Sequence, residues 1–303
     1  WQHCMSQSLT MLATLLWTLC INFCAATYRR EGEIFHSTPK TVNLTGVTIK
    51  VIPALHDNYM YLVIDEVSKE AAVIDPVEPE HILEDLKGKD YRLTKILTTH
   101  FHNDHAGGNE RLLEEFPELP VYGGDDRVKA LTTSVADGDR LYIGGLEVDV
   151  LHTPCHTRGD VCYLVKTGRQ QPRVVFTGDT MFVAGCGRFF EGTADQMYDN
   201  LYNKLGSLPN DTMVFCGHEF TYPNLMFASY VDPYNREVAR KLEWSEKMKN
   251  ERLPTVPSTI GEEWETNPFM RVDTKDLQWR SDSSDPVKTM AHIRAEKDTF
   301  KVI

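Results

Sequence analysis

The chain lacks an excess of positive charge, a cysteine framework and any repeat of fixed period, and each shortage removes a class of protein. Lys and Arg number 32 against 44 Asp and Glu, a formal net charge of −12. A phosphate backbone needs a basic face, so nucleic acid is excluded as a partner, and an anionic small substrate would need a local basic patch. Cysteines number seven, an odd count. Four of them (Cys155, Cys162, Cys186, Cys216) lie in or beside histidine- and aspartate-bearing motifs, which fits a reducing compartment, cytoplasm or mitochondrial matrix, and not a disulfide scaffold. The absence of a repeat argues against a solenoid or propeller. Long uncharged runs are also scarce: only residues 9–26 are long enough to suggest a signal peptide or membrane span. No Lys or Arg precedes that run, and Arg29 and Arg30 follow it, which suits neither a secretory leader nor an Arg-rich transit peptide. Membrane association through residues 9–26 is therefore the weaker reading, and residues 1–46 are set apart as an apolar leader or unstructured segment.

What is present is a dense run of metal-binding side chains. Residues 100–105 read His-Phe-His-Asn-Asp-His, after the apolar strand-like LTKILTT and before a helix-like segment over 110–116. Four electron-pair donors in six residues would repel one another or stay unsatisfied in an ordinary loop. A strand-to-helix turn aims successive side chains in different directions, which suits two adjacent metal ions, whereas a closed structural zinc needs four ligands in all. Three later motifs offer further donors on short turns beside β-like runs: His156 in TPCHT, Asp179 in FTGDT and His218 in FCGHE. Imidazole and carboxylate suit zinc, iron or manganese. Cys155 and Cys216, each within two residues of a candidate histidine, are rival thiolate ligands. The other six histidines (His3, His36, His56, His81, His152 and His292) are assigned no role. Water bridging two divalent ions has its pKa lowered toward roughly 7, so hydrolysis is the natural chemistry.

The surrounding pattern is β-like over VTIKVIPAL, YMYLVI and AAVIDPV from Val47 onward. A helix-like stretch over 80–86 precedes the metal turn, and strand and helix signals then alternate to Cys216. Sheets sandwiched by helices follow from this, in a domain over 47–218. After His218 the character becomes helical. Residues 235–253 are charged with a helical apolar period, and Asp285-Pro286 is an acidic cap with proline at the first helical position. A mainly helical second domain over 219–303 is expected against the metal mouth.

The run THFHNDHAGGN, followed in order by TPCHT, FTGDT and CGHE, resembles the metallo-β-lactamase fold, and the chain is similar to glyoxalase II, the hydroxyacylglutathione hydrolases. The narrower likeness rests on HDNYMYLVID, VYGGDDR, FVAGCGRFFEGTAD, PTVPST, NPFMRV and the terminal RAEKD, and it spans residues 47–303. The resemblance implies an α+β fold, an αββα sandwich with a helical C-terminal domain. It implies two divalent ions, zinc first and iron or manganese as alternatives, with His100, His102 and His156 on one, Asp104, His105 and His218 on the other, and Asp179 shared. Asp104 and Asp179 are then the catalytic carboxylates. It further implies an enzyme that hydrolyses S-(2-hydroxyacyl)glutathione thioesters, such as S-lactoylglutathione, through hydroxide held between the ions; a monomer is expected, apart from the resemblance. Arg188, Phe189, Phe190, Phe220, Arg294 and Lys297 fall where the family contacts glutathione. Three positions depart from the pattern: Phe190 and Phe220 replace tyrosines, and Asp160 replaces a histidine that bears on the ligand surroundings. Two rival readings are a persulfide dioxygenase-like protein with one iron and a non-catalytic, membrane-tethered metal-binding protein.

Overall fold

The computed structural model describes residues 36–168 and 171–301. The apolar run at 9–26 and most of the expected leader lie outside the described residues. From residue 36 onward the chain forms two facing sheets with helices on both outer sides.

The first sheet has seven strands in chain order: β1 (Lys40–Leu44), β2 (Val47–Ala54), β3 (Asn58–Asp65), β4 (Glu70–Ile74), β5 (Arg92–Leu97), β6 (Val121–Gly123) and β7 (Thr133–Ser134). β1 pairs with β2 in register Lys40↔Val51 to Leu44↔Val47, so the folded unit begins ahead of the Val47 boundary expected from sequence. The second sheet contains β8 (Arg140–Ile143), β9 (Leu146–His152), β10 (Val161–Lys166) and β11 (Val174–Gly178). A small hairpin, β12 (Met181–Phe182) and β13 (Gly185–Cys186), leads toward β14 (Met213–Cys216) and β15 (Ser258–Thr259). The spatial order of the second sheet is β15-β14-β11-β10-β9-β8. Between 121 and 186 the described residues form strands joined by turns and loops, where regular strand and helix alternation was expected.

Alternation along the strands builds three apolar layers, because strand residues point to opposite faces with period two. In β3, Tyr59, Tyr61 and Val63 face inward and pack with Val148, Val150, Tyr163 and Phe176 of the second sheet. Met60, Leu62 and Ile64 face outward under Ile82 of α1 (Pro79–Leu86), Ala106 of α2 (Asn103–Ala106) and Leu112 of α3 (Asn109–Glu115). The outer face of the second sheet, with Cys162, Leu164, Val175 and Val214, lies under Met197 of α4 (Ala194–Tyr198) and Phe227 of α5 (Thr221–Val231). Strands covered on both faces read as nearly continuous apolar runs, which is why β2 to β4 stand out in the sequence.

The C-terminal helices follow: α6 (Arg236–Asn250), α7 (Ile260–Thr266), α8 (Lys275–Arg280) and α9 (Pro286–Thr299). Asp285 caps α9 by accepting from the Val287 and Lys288 amides at 2.9 and 3.3 Å, and Asn235 caps α6 in the same way. Ile260, Leu277, Met290 and Ile293 join the core on the second sheet's outer face, and β15 pairs with β14 inside that sheet. The C-terminal part therefore closes the sandwich from one side and also supplies a strand to it.

Candidate metal centre

β5, β9, β11 and β14 all deliver their C-terminal ends to one edge of the sandwich, and the four motifs stand at those ends. Two glycines allow the backbone to pass close to the site at that edge. Gly178 has φ +46°, and a Cβ on it would come within 2.4 Å of Thr99 Oγ1, so a glycine lets β11 end against the metal turn. At Gly217 a Cβ would meet Asp179 Oδ1 at 2.6 Å and His105 Cε1 at 2.7 Å. The glycine in CGHE is thus needed for backbone to approach the site.

All seven expected donors converge. His100, His102 and His156 form one group whose donor atoms lie within 4.8 Å of one another; Asp104, His105 and His218 form a second, and Asp179 groups with His100 and His105. His102 Nδ1 lies 3.0 Å from both His100 Nε2 and His156 Nε2, and His105 Nε2 lies 3.2 Å from His218 Nε2. Asp179 stands between the groups. Its Oδ1 is 3.3 Å from His105 and 3.4 Å from His218, while its Oδ2 is 3.4 Å from His156. Asp179 Oδ1 is also buried without a hydrogen-bond partner.

The groups behind the histidines assign their protons. His105 Nδ1 donates to Asp75 at 2.9 Å, His218 Nδ1 to Asp57 at 2.9 Å, and His156 Nδ1 to the Arg188 carbonyl at 3.0 Å. Thr99 Oγ1 donates to Asp75 at 2.7 Å and so accepts from His100 Nδ1 at 3.1 Å. Four imidazoles therefore give their Nδ1 proton outward and turn an Nε2 lone pair inward, and His102 turns in Nδ1. Lone pairs facing one another at such distances repel unless a cation lies between them. The donor set fits metal ions on chemistry alone, and oxygen and imidazole nitrogen accommodate the zinc, iron and manganese class.

The electrostatics agree. Burial would lower the pKa of His105 and His218, but Asp179 outweighs it, with Asp75 and Asp57 assisting; His105 is held well above the ordinary value and His218 at about 9. Burial opposes ionisation of Asp179 too, yet His218 and His105 hold it well below the carboxylate range. The field that favours a proton on these rings favours a metal cation in the same place. On the other side, burial pushes His100, His102 and His156 down, leaving them neutral as ligands must be.

The thiolate alternative falls away. Neither Cys155 nor Cys216 joins a donor group; Cys155 Sγ donates to the Thr193 carbonyl and Cys216 Sγ to the His218 carbonyl, each at 3.3 Å. Burial raises both thiol pKa values, that of Cys216 to about 12. Asp160 joins none of the donor groups. It accepts from the Thr157 amide at 2.7 Å and hydroxyl at 2.6 Å and so braces the turn after His156, while burial lifts its pKa to about 7.

Beside the centre runs a groove lined by Arg188, Phe189, Phe190, Arg294 and Asp298. Arg188 is exposed, 3.5 Å from Asp298. Arg294 is buried, donating to the Cys186 carbonyl and to Asp298 at 2.9 Å each, with its Nε unpartnered. Lys297 packs over Phe227 and Phe300 and donates to the Pro223 carbonyl at 3.2 Å, outside the groove lining. Phe190, 60 % exposed, packs on His156 with ring centroids 5.1 Å apart, and Phe220 stacks on His218 at 4.7 Å with planes 4° apart. Sequence reasoning assigned no role to Asp57, Asp75, Asn58 or Thr99. Asp57 and Asn58 were visible only as part of the HDNY segment, Asp75 as the Asp-Pro that follows β4, and Thr99 as the residue that opens the THFHNDH run.

Residues 55–218 match the family model of the metallo-β-lactamase superfamily, and residues 219–300 that of the hydroxyacylglutathione hydrolase C-terminus. A cytoplasmic hydroxyacylglutathione hydrolase of Arabidopsis thaliana is 48% identical over 252 residues, covering 82% of this chain and 98% of the relative. A hydroxyacylglutathione hydrolase of Synechococcus sp. is 44% identical over 257 residues, covering 83% and 99%. Among solved structures, ETHE1 from Myxococcus xanthus superposes with a TM-score of 0.59 at 26% identity, covering 85% of this chain and 90% of that one. The chain belongs to the hydroxyacylglutathione hydrolases, glyoxalase II, within the metallo-β-lactamase superfamily.

Proposed function

We propose that the chain hydrolyses S-(2-hydroxyacyl)glutathione thioesters, with S-lactoylglutathione as the type substrate, to glutathione and a 2-hydroxy carboxylic acid. The carrying observation is the position of Asp179, one carboxylate oxygen toward His105 and His218 and the other toward His156. That arrangement supports two divalent ions, one held by His100, His102 and His156 and one by Asp104, His105 and His218, with zinc the best match to the ligand types. Bound there, such ions supply Lewis-acid polarisation of a carbonyl and ease the ionisation of water near neutral pH.

The protein's own part is orientation. Asp57, Asp75, Thr99 and the Arg188 carbonyl fix the imidazole rings, and Asn58 Nδ2 holds the Asp104 carbonyl at 2.9 Å. Phe190 and Phe220 cover the rings of His156 and His218 and limit water at the mouth. Arg188 and Arg294 beside the groove, with Lys297 behind, supply cations for the carboxylates of glutathione. A thiolate is a good leaving group, so no general acid is required. A single-iron reading would leave Asp104, His105 and His218 without a purpose.

In this reading residues 40–218 carry the chemistry and 219–303 complete the thioester site. No helix among the described residues is long and apolar enough to cross a membrane. Four buried free cysteines favour a reducing compartment, cytoplasm or mitochondrial matrix, and a monomer suffices for the site. The test is hydrolysis of S-lactoylglutathione beside other thiol carriers by protein of counted metal content. Preference for a different carrier would overturn the substrate assignment.

A further inference from the structure

The VYGGDDR segment has no place in the chemistry above, yet its Arg127 touches both the metal turn, at Phe101, and the segment after Phe190, at Glu191. Arg127 Cζ lies 3.8 Å from the ring centroid of Phe101, whose ring in turn lies 4.7 Å from that of His102. The guanidinium is anchored from below by Asp125, a buried carboxylate that accepts from Arg127 Nε at 2.9 Å and also from Nη2. Its outer edge forks onto Glu191: Nη1 donates to Oε1 at 2.5 Å and Nη2 to Oε2 at 2.7 Å. Two residues on, Lys129 Nζ donates to Asn103 Oδ1 at 2.6 Å, so the segment touches the metal turn twice.

Glu191 ends the stretch that carries Arg188, Phe189 and Phe190. At one end of that stretch the Arg188 carbonyl holds His156 Nδ1. At the other, Glu191 is held by Arg127 and by the Arg158 amide at 2.8 Å. Phe190 lies between these pins, 5.1 Å from the His156 ring and 6.0 Å from the His102 ring. Bidentate guanidinium–carboxylate pairs fix direction as well as distance, and a lysine cannot reproduce the fork.

We infer that Arg127 is a positioning residue: by clamping Glu191 it sets the Arg188–Phe190 lip against the metal turn and thereby controls how tightly the thioester is held. The inference rests on the proposed use of that lip for substrate. Loosening the clamp frees the Glu191 end of the lip while its Arg188 end stays tied to His156 Nδ1, so the loss falls on binding and leaves turnover and metal retention in place.

The experiment compares wild type, Arg127→Gln, Arg127→Lys, Glu191→Gln and the Arg127→Gln/Glu191→Gln double variant, each metal-loaded. S-lactoylglutathione kinetics, melting temperature, metal content and calorimetric binding of a non-hydrolysable glutathione thioether are read together. Arg127→Gln is expected to raise KM and weaken thioether binding by roughly tenfold, with kcat within about twofold and metal content unchanged. Arg127→Lys should recover only part of the affinity, and the double variant should be no worse than Arg127→Gln, because the two residues act as one pair. Glu191→Gln leaves the Arg127–Asp125 anchor whole and serves if Arg127→Gln folds poorly. Unchanged KM and thioether affinity in a folded variant, with only a lower melting temperature, would overturn the inference, as would a fall in kcat that tracks lost metal. If wild type neither hydrolyses lactoylglutathione nor binds the thioether, the substrate reading itself fails, a result distinct from either.

Discussion

Asp57 accepts the Nδ1 proton of His218 at 2.9 Å across 161 residues of sequence, and the Glu219 amide returns to the Asp57 carbonyl at 2.7 Å. The start of β3 and the end of β14 are thereby locked together at the metal edge. The carboxylate fixes the ring and raises its basicity as a ligand. Asp57→Asn should weaken metal affinity at the Asp104, His105 and His218 group by roughly 10- to 100-fold and leave the other group near wild type. Competition with a chelator, followed ion by ion, measures this. Equal loss at both groups would place the role of Asp57 in the fold.

Lys297 offers a pH test. Burial, with Arg294 adding to it, pushes its pKa down to about 8. On the proposed reading Lys297 offers a substrate carboxylate a cation that is present below that value and lost above it, so KM should rise as pH passes from 7 to 9. Lys297→Met should show a high, flat KM over the same range. A wild-type KM independent of pH would make Lys297 a packing residue.

The donors were legible because chemistry concentrates them: four of the seven fall within residues 100–105, and the other three stand in short Gly- or Pro-bearing turns. The inner strands were legible because burial on both faces makes them apolar throughout. What escaped lies in pairings across long sequence distance. Asp57 and Asp75 read as loop and turn residues until β3 and β4 bring them behind His218 and His105. β1 alternates half-buried and exposed residues at the sheet edge, and β15 is two residues long, so neither carries a strong pattern of its own. Arg127 was visible only as the end of VYGGDDR, with no role of its own, because its partners, Phe101 and Glu191, come from two other loops.

The position of β1 predicts the outcome of truncation. A chain starting at residue 47 loses β1, the half-buried Val42 and Leu44, and the bond from Lys40 Nζ to the Val256 carbonyl at 2.9 Å. Partial burial of two such side chains is worth about 2 kcal/mol, or roughly 5 °C in Tm for a chain of this size. A chain starting at residue 36 should therefore melt higher than one starting at 47, and calorimetry of the two compares them directly. Equal Tm values would show that β1 adds nothing to the sandwich.

Restoring hydroxyls at the mouth tests the substrate. Phe190 is exposed and Phe220 half-buried, so both accept a tyrosine without repacking the core. A hydrogen bond contributes about 0.5–1.5 kcal/mol, so Phe190→Tyr/Phe220→Tyr should lower KM for S-lactoylglutathione by roughly two- to tenfold per contact. kcat should stay nearly unchanged, the mark of uniform binding. Unchanged KM together with faster hydrolysis of another thioester would mean that the two rings serve a different thiol carrier.

The most direct test counts metal against activity in one preparation, wild type beside Asp179→Ala. Asp179 faces both donor groups, so the account expects close to two divalent ions per chain in active wild type, with thioesterase activity rising as the second ion is taken up. Asp179→Ala should weaken both ions and lose activity. Full thioesterase activity with a single ion per chain, unchanged by addition of a second, would contradict it.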